Sequence, residues 1–126
     1  MKVKASKNFK NEASFYNLEK ENANDKCCCL KFSQCDDNRY QLSELNKQEL
    51  DSFIDYAKKV EKLSWQSIYQ SKGLNYEKID NLGKPDYLDD CISLYSMRAS
   101  RRFRILGYRN HEFFYIVWFD NNHETC

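Results

Sequence analysis

Proline and glycine are nearly missing: there is one proline, Pro85, and there are three glycines in 126 residues. That excludes collagen-like repeats and Pro/Gly-rich low-complexity chains. It also leaves no flexible linker to divide the chain, so a single domain is expected. An excess of one charge is lacking too. Lys and Arg number 20 against 19 Asp and Glu, a formal net charge of +1. The molecule as a whole is no polycation, and any nucleic-acid site must be a local patch. No apolar run approaches the roughly 18 residues of a transmembrane helix. The start, MKVKASKNFKNEASFYNLEK, has positive charges but no apolar core of about 7–15 residues behind them, so it does not read as a secretory leader. Six cysteines without such a leader make a poor disulfide framework. Three are adjacent, Cys27 to Cys29, and neighbours cannot meet the Cα separation and orientation a bridge needs. The expectation is a cytoplasmic protein with reduced thiols and no membrane partner. There is no C-x2-C pair, P-loop, Gly-rich dinucleotide loop or G-x-S-x-G elbow. No cofactor and no metal is therefore expected.

What is present is apolar and aromatic mass. Hydrophobic residues make up 41%, with 8 Phe, 9 Tyr and 2 Trp, too much for a wholly disordered chain. A chain of this length buries enough surface to fold without metal or disulfide staples. Residues 1–25 are polar and read as an N-terminal arm or a marginal helix, leaving 26–126 as one domain. Residues 27–34, CCCLKFSQ, read as a short strand, and Asp36-Asp37-Asn38 as a turn. Asn46 with Glu49 three residues on predicts a capped helix start. Leu50, Phe53, Ile54, Ala57 and Val60 follow at helical spacing and should form its buried stripe. Ser64 can cap a second, shorter helix with Trp65, Ile68 and Tyr69 on one side and a stop at Gly73. Leu74 to Asp90 reads as a long connection, with Asp86 to Asp90 a polar loop or helix start.

Three strand-like runs close the chain: Cys91 to Tyr95, Phe103 to Tyr108, and FFYIVWF, Phe113 to Phe119. The last is continuously apolar, as expected of a central strand covered on both faces. Arg109 to Glu112 is a hairpin-length link. Strand, two helices and a three-stranded antiparallel meander give an α+β domain with the helices on one face of the sheet.

Charge is unevenly placed. Five of the six arginines are Arg98, Arg101, Arg102, Arg104 and Arg109, and no acid interrupts that stretch. Strand alternation puts Arg102 and Arg104 on the face opposite Phe103 and Ile105. Guanidinium forks suit phosphate, and Tyr95 and Tyr108 offer stacking surfaces for bases. The competing reading is a solvated face paired with acids such as Asp89 and Asp90. His111 and His123, the only histidines, flank the last strand, and either is a candidate for proton transfer near neutral pH. A zinc site would have to gather His123 and Cys126 with Cys27, Cys29 and Cys35, a spacing that matches no zinc module. The simpler reading has Cys28 and Cys91 filling core space.

The stretch from Ser100 to Glu124, SRRFRILGYRNHEFFYIVWFDNNHE, together with the inferred element order, resembles the RelE/ParE toxin superfamily. Arg101-Arg102, Tyr108-Arg109, the FFYIVWF run and His123 look like its basic strand, its Tyr/His-Arg before a turn, its apolar strand and its terminal histidine or tyrosine. The same stretch also resembles small phage and mobile-element proteins ending in aromatic-Ile-x-Trp-x-Asp-x-x-His. The superfamily resemblance implies a RelE-like fold and a metal-independent endoribonuclease. It would act on RNA, free or on the ribosome, and be neutralised by an antitoxin protein. In that chemistry a base activates the 2′-hydroxyl for attack on the adjacent phosphate, cations stabilise the charge, and an acid protonates the leaving oxygen. The resemblance gives Arg102 and Arg109 the phosphate, His123 the proton transfer and Tyr108 stacking or proton transfer. Arg98, Arg101 and Arg104 would contact RNA. ParE-like members lack the ribonuclease residues, so fold alone does not set activity. The alternative is a non-catalytic phage or mobile-element protein using the arginine face to bind nucleic acid or an acidic partner.

Overall fold

In a computed structural model, residues 23–80 and 83–124 are described. Five strands, β1 (Cys29–Lys31), β2 (Glu77–Lys78), β3 (Tyr95–Arg98), β4 (Arg104–Asn110) and β5 (Phe113–Asp120), form one sheet in the order β1-β5-β4-β3-β2. Two helices, α1 (Lys47–Val60) and α2 (Trp65–Gln70), lie between β1 and β2 in sequence. The domain is α+β. Its meander β3-β4-β5 is antiparallel, whereas β1 runs parallel to β5, Cys29 opposite Phe113 and Lys31 opposite Tyr115.

The α1 start follows from its cap. Asn46 Oδ1 accepts from the Glu49 amide at 2.8 Å while Glu49 Oε1 accepts from the Asn46 amide at 2.9 Å. The Glu49 carboxylate also accepts from Asn121 Nδ2, tying the helix start to the chain just after β5. Ser64 Oγ caps α2 through the Ser67 amide at 3.1 Å.

The helices cover one face of the sheet. Phe53, Tyr56, Val60, Trp65 and Ile68 pack with Met97, Ile105, Phe114, Ile116 and Phe119. The other face is covered by loops. Leu88, Ile92, Tyr40 and Ile79 pack on Leu106, Val117 and Trp118. Asp36 is buried there, its carboxylate accepting from Trp118 Nε1 at 2.8 Å and from the Asn38 amide at 2.9 Å. Lys84 Nζ donates to the carbonyls of Asp89, Asp90 and Ile92, folding residues 84–92 back on themselves. Cover on both faces is why the β5 sequence is apolar without alternation.

Several expectations need correction. The buried stripe of α1 is Phe53, Tyr56 and Val60, while Leu50 and Ile54 are exposed; the helix is rotated so that Tyr56 can reach Met97 Sδ. On α2, Trp65 and Ile68 are buried, while Tyr69 beside Trp65 is exposed. α2 ends at Gln70 with an extended Ser71, before Gly73. The connection from Leu74 contains the edge strand β2, too short and too polar to show as a strand in the sequence. Two residues of the expected arm make contacts with the domain. Ala23 is buried, and the Asn24 carbonyl accepts from the Gln66 amide at 2.9 Å. The rest of the expected arm lies outside the described residues.

Cys28 packs in the helix-side core as expected, and burial pushes its thiol from 9.0 up to about 12. Because the folded state holds that proton more tightly, its stabilisation is complete below the unfolded value of about 9 and is lost as pH rises toward 12. Urea unfolding at pH 8 and pH 10.5 should show stability falling, with a smaller fall in Cys28→Ala. Equal slopes in both proteins would contradict this. Cys91, by contrast, is exposed and lies outside the core.

Candidate nucleic-acid interface

The β3–β4 turn concentrates the arginines. Arg98 ends β3, and Arg101 and Arg102 sit in the turn; all three are exposed. Among the described residues none of the three forms an ion pair. Arg102 Nη2 donates only to the Asn122 carbonyl, at 3.4 Å. Arg104 behaves differently from the sequence expectation. It does not stand beside Arg102 on an open sheet face, because that face is loop-covered. Arg104 is buried, directly opposite Asp120 in the ladder. Its Nη1 turns back to donate to the carbonyls of Ser100 and Arg101, both at 3.1 Å. Arg104 therefore shapes the turn that presents the other three.

His123 belongs to this end. It is exposed with φ of 58°, one residue past the carbonyl that receives Arg102. His111 sits in the tight β4–β5 turn at φ 63°, at the opposite end of the sheet.

Tyr108 and Arg109 lie at that far end. From Arg104 to Arg109 is five residues of strand, roughly 17 Å. The structure thus brings Arg98, Arg101, Arg102 and His123 together and sets Tyr108 and Arg109 apart from them. Arg109 lies over the Trp65 ring at 4.4 Å and donates through Nη1 to Tyr69 Oη at 2.6 Å and to Asn24 Oδ1 at 2.7 Å. Tyr108 stacks on Tyr115, centroids 5.2 Å apart. Burial raises the Tyr108 pKa, so it keeps its proton at neutral pH and serves to stack or donate rather than as a base.

Around these two residues opens a cleft of about 680 Å³, lined by Tyr69, Tyr76, Tyr95, Tyr108, Arg109 and the segment Cys91–Ser93. It forms because β4 and β5 run on past the start of β3, which first pairs at Tyr95 opposite Gly107. Tyr69 and Tyr76 were not legible as site residues: they come from α2 and from the connection, with no shared spacing. Among the described residues no group of three His, Cys, Asp or Glu side chains is placed to hold a metal, and no helix is long and apolar enough to cross a membrane.

The chain matches no family model, no curated protein and no solved structure. Function must therefore be argued from the geometry of the turn and the cleft.

Proposed function

We propose that the protein binds RNA, with Arg98, Arg101 and Arg102 holding backbone phosphates on the β3–β4 turn. One observation carries this reading: three exposed arginines without ion-pair partners among the described residues stand on a turn whose shape is set from beneath by a buried fourth. Arginine's planar fork fits phosphate oxygens, and a rigid mount lowers the ordering cost of engaging them. With three phosphates neutralised, log K for a single strand should fall with log salt at a slope of about −2, or roughly 20-fold in affinity between 50 and 200 mM salt. Titration of oligo(U) by fluorescence anisotropy checks this. The triple variant Arg98→Ala/Arg101→Ala/Arg102→Ala should bind weakly and show a nearly flat salt dependence. Salt-insensitive binding by the wild type, or an unchanged slope in the variant, would rule the turn out.

A second reading rests on the adjacency of Arg102 and His123. Phosphate-binding cations beside a group that can move a proton are the parts of a metal-independent ribonuclease. In this reading the protein is a toxin-like endoribonuclease of the cytoplasm with a RelE-like arrangement, an antitoxin covers the turn, and Arg109 and Tyr108 lie outside the reacting centre. Expression should then arrest growth, and purified protein should cleave RNA in EDTA. Arg102→Ala and His123→Ala should each remove both effects. Intact RNA, free and on translating ribosomes, would leave the binding reading alone.

A further inference from the structure

The cleft at the other end of β4 has its own chemistry. Its walls are aromatic, and two of the rings that line it are each stacked on a neighbouring tyrosine. Tyr95 lies nearly parallel to Tyr76, centroids 5.0 Å apart and planes at 8°, and has no other ring partner among the described residues. Tyr108 on the other wall is likewise stacked on Tyr115, with planes at 13°. Behind Tyr95 stands a packed aromatic group. Tyr76 contacts Tyr69 at 5.3 Å and Trp65 at 5.6 Å, so the Tyr95 ring is braced. The floor carries one cation. Arg109 is held by the Trp65 ring, by the His111 carbonyl through Nε and by Tyr69 and Asn24 through Nη1, while Nη2 has no hydrogen-bond partner among the described residues. Among the described residues no carboxylate lines the cleft. Burial raises the pKa of Tyr76 and of Tyr108, so the phenols stay neutral and add no negative charge at pH 7. About 680 Å³ is within the range of small-molecule sites and admits one nucleotide.

We propose that this cleft is a nucleotide site: a nucleobase stacks on the Tyr95 face turned away from Tyr76, and its phosphate takes the free edge of Arg109. The site is independent of the arginine turn, from which Arg109 is separated by most of β4. A base carrying a phosphate comes either as a free nucleotide or as one unit of a single strand, and the two sources are separable.

The test is calorimetric titration of the full chain with adenosine 5′-monophosphate, inorganic phosphate and oligo(rA), repeated on Tyr95→Ala, Tyr95→Phe and the triple arginine variant. Removing one stacking ring weakens single-strand binding by about 5- to 150-fold. Tyr95→Ala should lose that much affinity for the monophosphate and Tyr95→Phe should keep it, since phenylalanine retains the stacking face. The triple arginine variant should bind the monophosphate as the wild type does. Equal affinity for monophosphate and oligomer identifies a free nucleotide. An oligomer bound at least about 10-fold more tightly, through contacts also lost in the triple variant, identifies a single strand spanning both sites. The proposal is overturned if the folded wild type ignores the monophosphate, if inorganic phosphate binds as well as the monophosphate, or if Tyr95→Ala changes nothing. Oligomer binding that depends on the arginine turn alone would overturn the cleft and leave the turn standing.

Discussion

Replacing Gly107 with alanine should destabilise the domain by at least about 3 kcal/mol, beyond the ordinary cost of overpacking. At roughly 3–6 °C per kcal/mol for a chain of this size, that lowers Tm by about 10 °C or more. The cause is a bulge. Across β4 and β5, Leu106 pairs with Trp118 but Gly107 pairs with Ile116, so Val117 is an extra residue on β5. The irregularity lets Val117 and Trp118 both face the loop-covered core, where the period of two would send one of them to the helices. It also presses the β5 backbone onto Gly107. A Cβ there would stand 2.1 Å from the Tyr115 carbonyl oxygen and 2.9 Å from its carbon. Both are main-chain atoms of a central strand, which cannot move aside without breaking the ladder. Gly73 is the control. A Cβ at Gly73 meets the Lys59 ammonium at 3.4 Å, the far end of a flexible side chain, and the Ser71 hydroxyl at 3.8 Å, an ordinary contact. Gly73→Ala should change stability by less than about 1 kcal/mol, because only the unfolded chain's freedom is affected. Thermal unfolding of both variants decides the matter; a Gly107→Ala protein as stable as Gly73→Ala would mean the bulge relaxes.

Gly107 also marks where the sequence stops being readable. The strands β4 and β5 and the caps of both helices were legible because each is a local pattern: Asn46 with Glu49, Ser64 before Trp65, an unbroken apolar run in β5. The bulge is not local, and nothing in RILGYRN signals that β5 carries an extra residue opposite it. The same holds for the loop cover. An alternating reading of Arg102, Phe103, Arg104 and Ile105 assumes one wet face. Both faces are in fact covered, because the chain from Asp36 to Tyr40 and from Gly83 to Leu94 lies over Leu106 and Trp118. Those loops are polar in sequence and hold their place through side-chain hydrogen bonds, such as Asp36 to Trp118, that no periodicity encodes. The arginine density was legible in the sequence. Which arginine is exposed and which is buried depends on that cover. The tyrosine cleft was half legible, through Tyr95, Tyr108 and Arg109; Tyr69 and Tyr76 join it only because α2 and the start of β2 converge on β3.

Arg104 links stability to the proposed function, and its removal should damage both. The side chain is buried and faces Asp120, which is fully buried and accepts from the Glu124 amide at 2.9 Å. Deleting the Arg104 side chain removes a buried, charge-assisted donor to two carbonyls and empties packed volume, a loss of about 2–5 kcal/mol. Arg104→Ala should therefore take a large part of the ~5–15 kcal/mol that holds a domain folded. It also releases the carbonyls of Ser100 and Arg101 that shape the arginine turn, so RNA affinity should drop although Arg104 touches no RNA in this arrangement. The double variant Arg104→Met/Asp120→Leu separates the two effects. It refills the buried volume with apolar side chains of similar length and should recover part of the stability through packing. It cannot restore the donors to the turn, so RNA binding should stay weak. Urea unfolding gives the first quantity and anisotropy with oligo(U) gives the second, the two forming a cycle on one pair of residues. Recovery of both together would make Arg104 a matter of packing alone. Recovery of stability without binding would show that the buried arginine holds the exposed three in the geometry that phosphate requires.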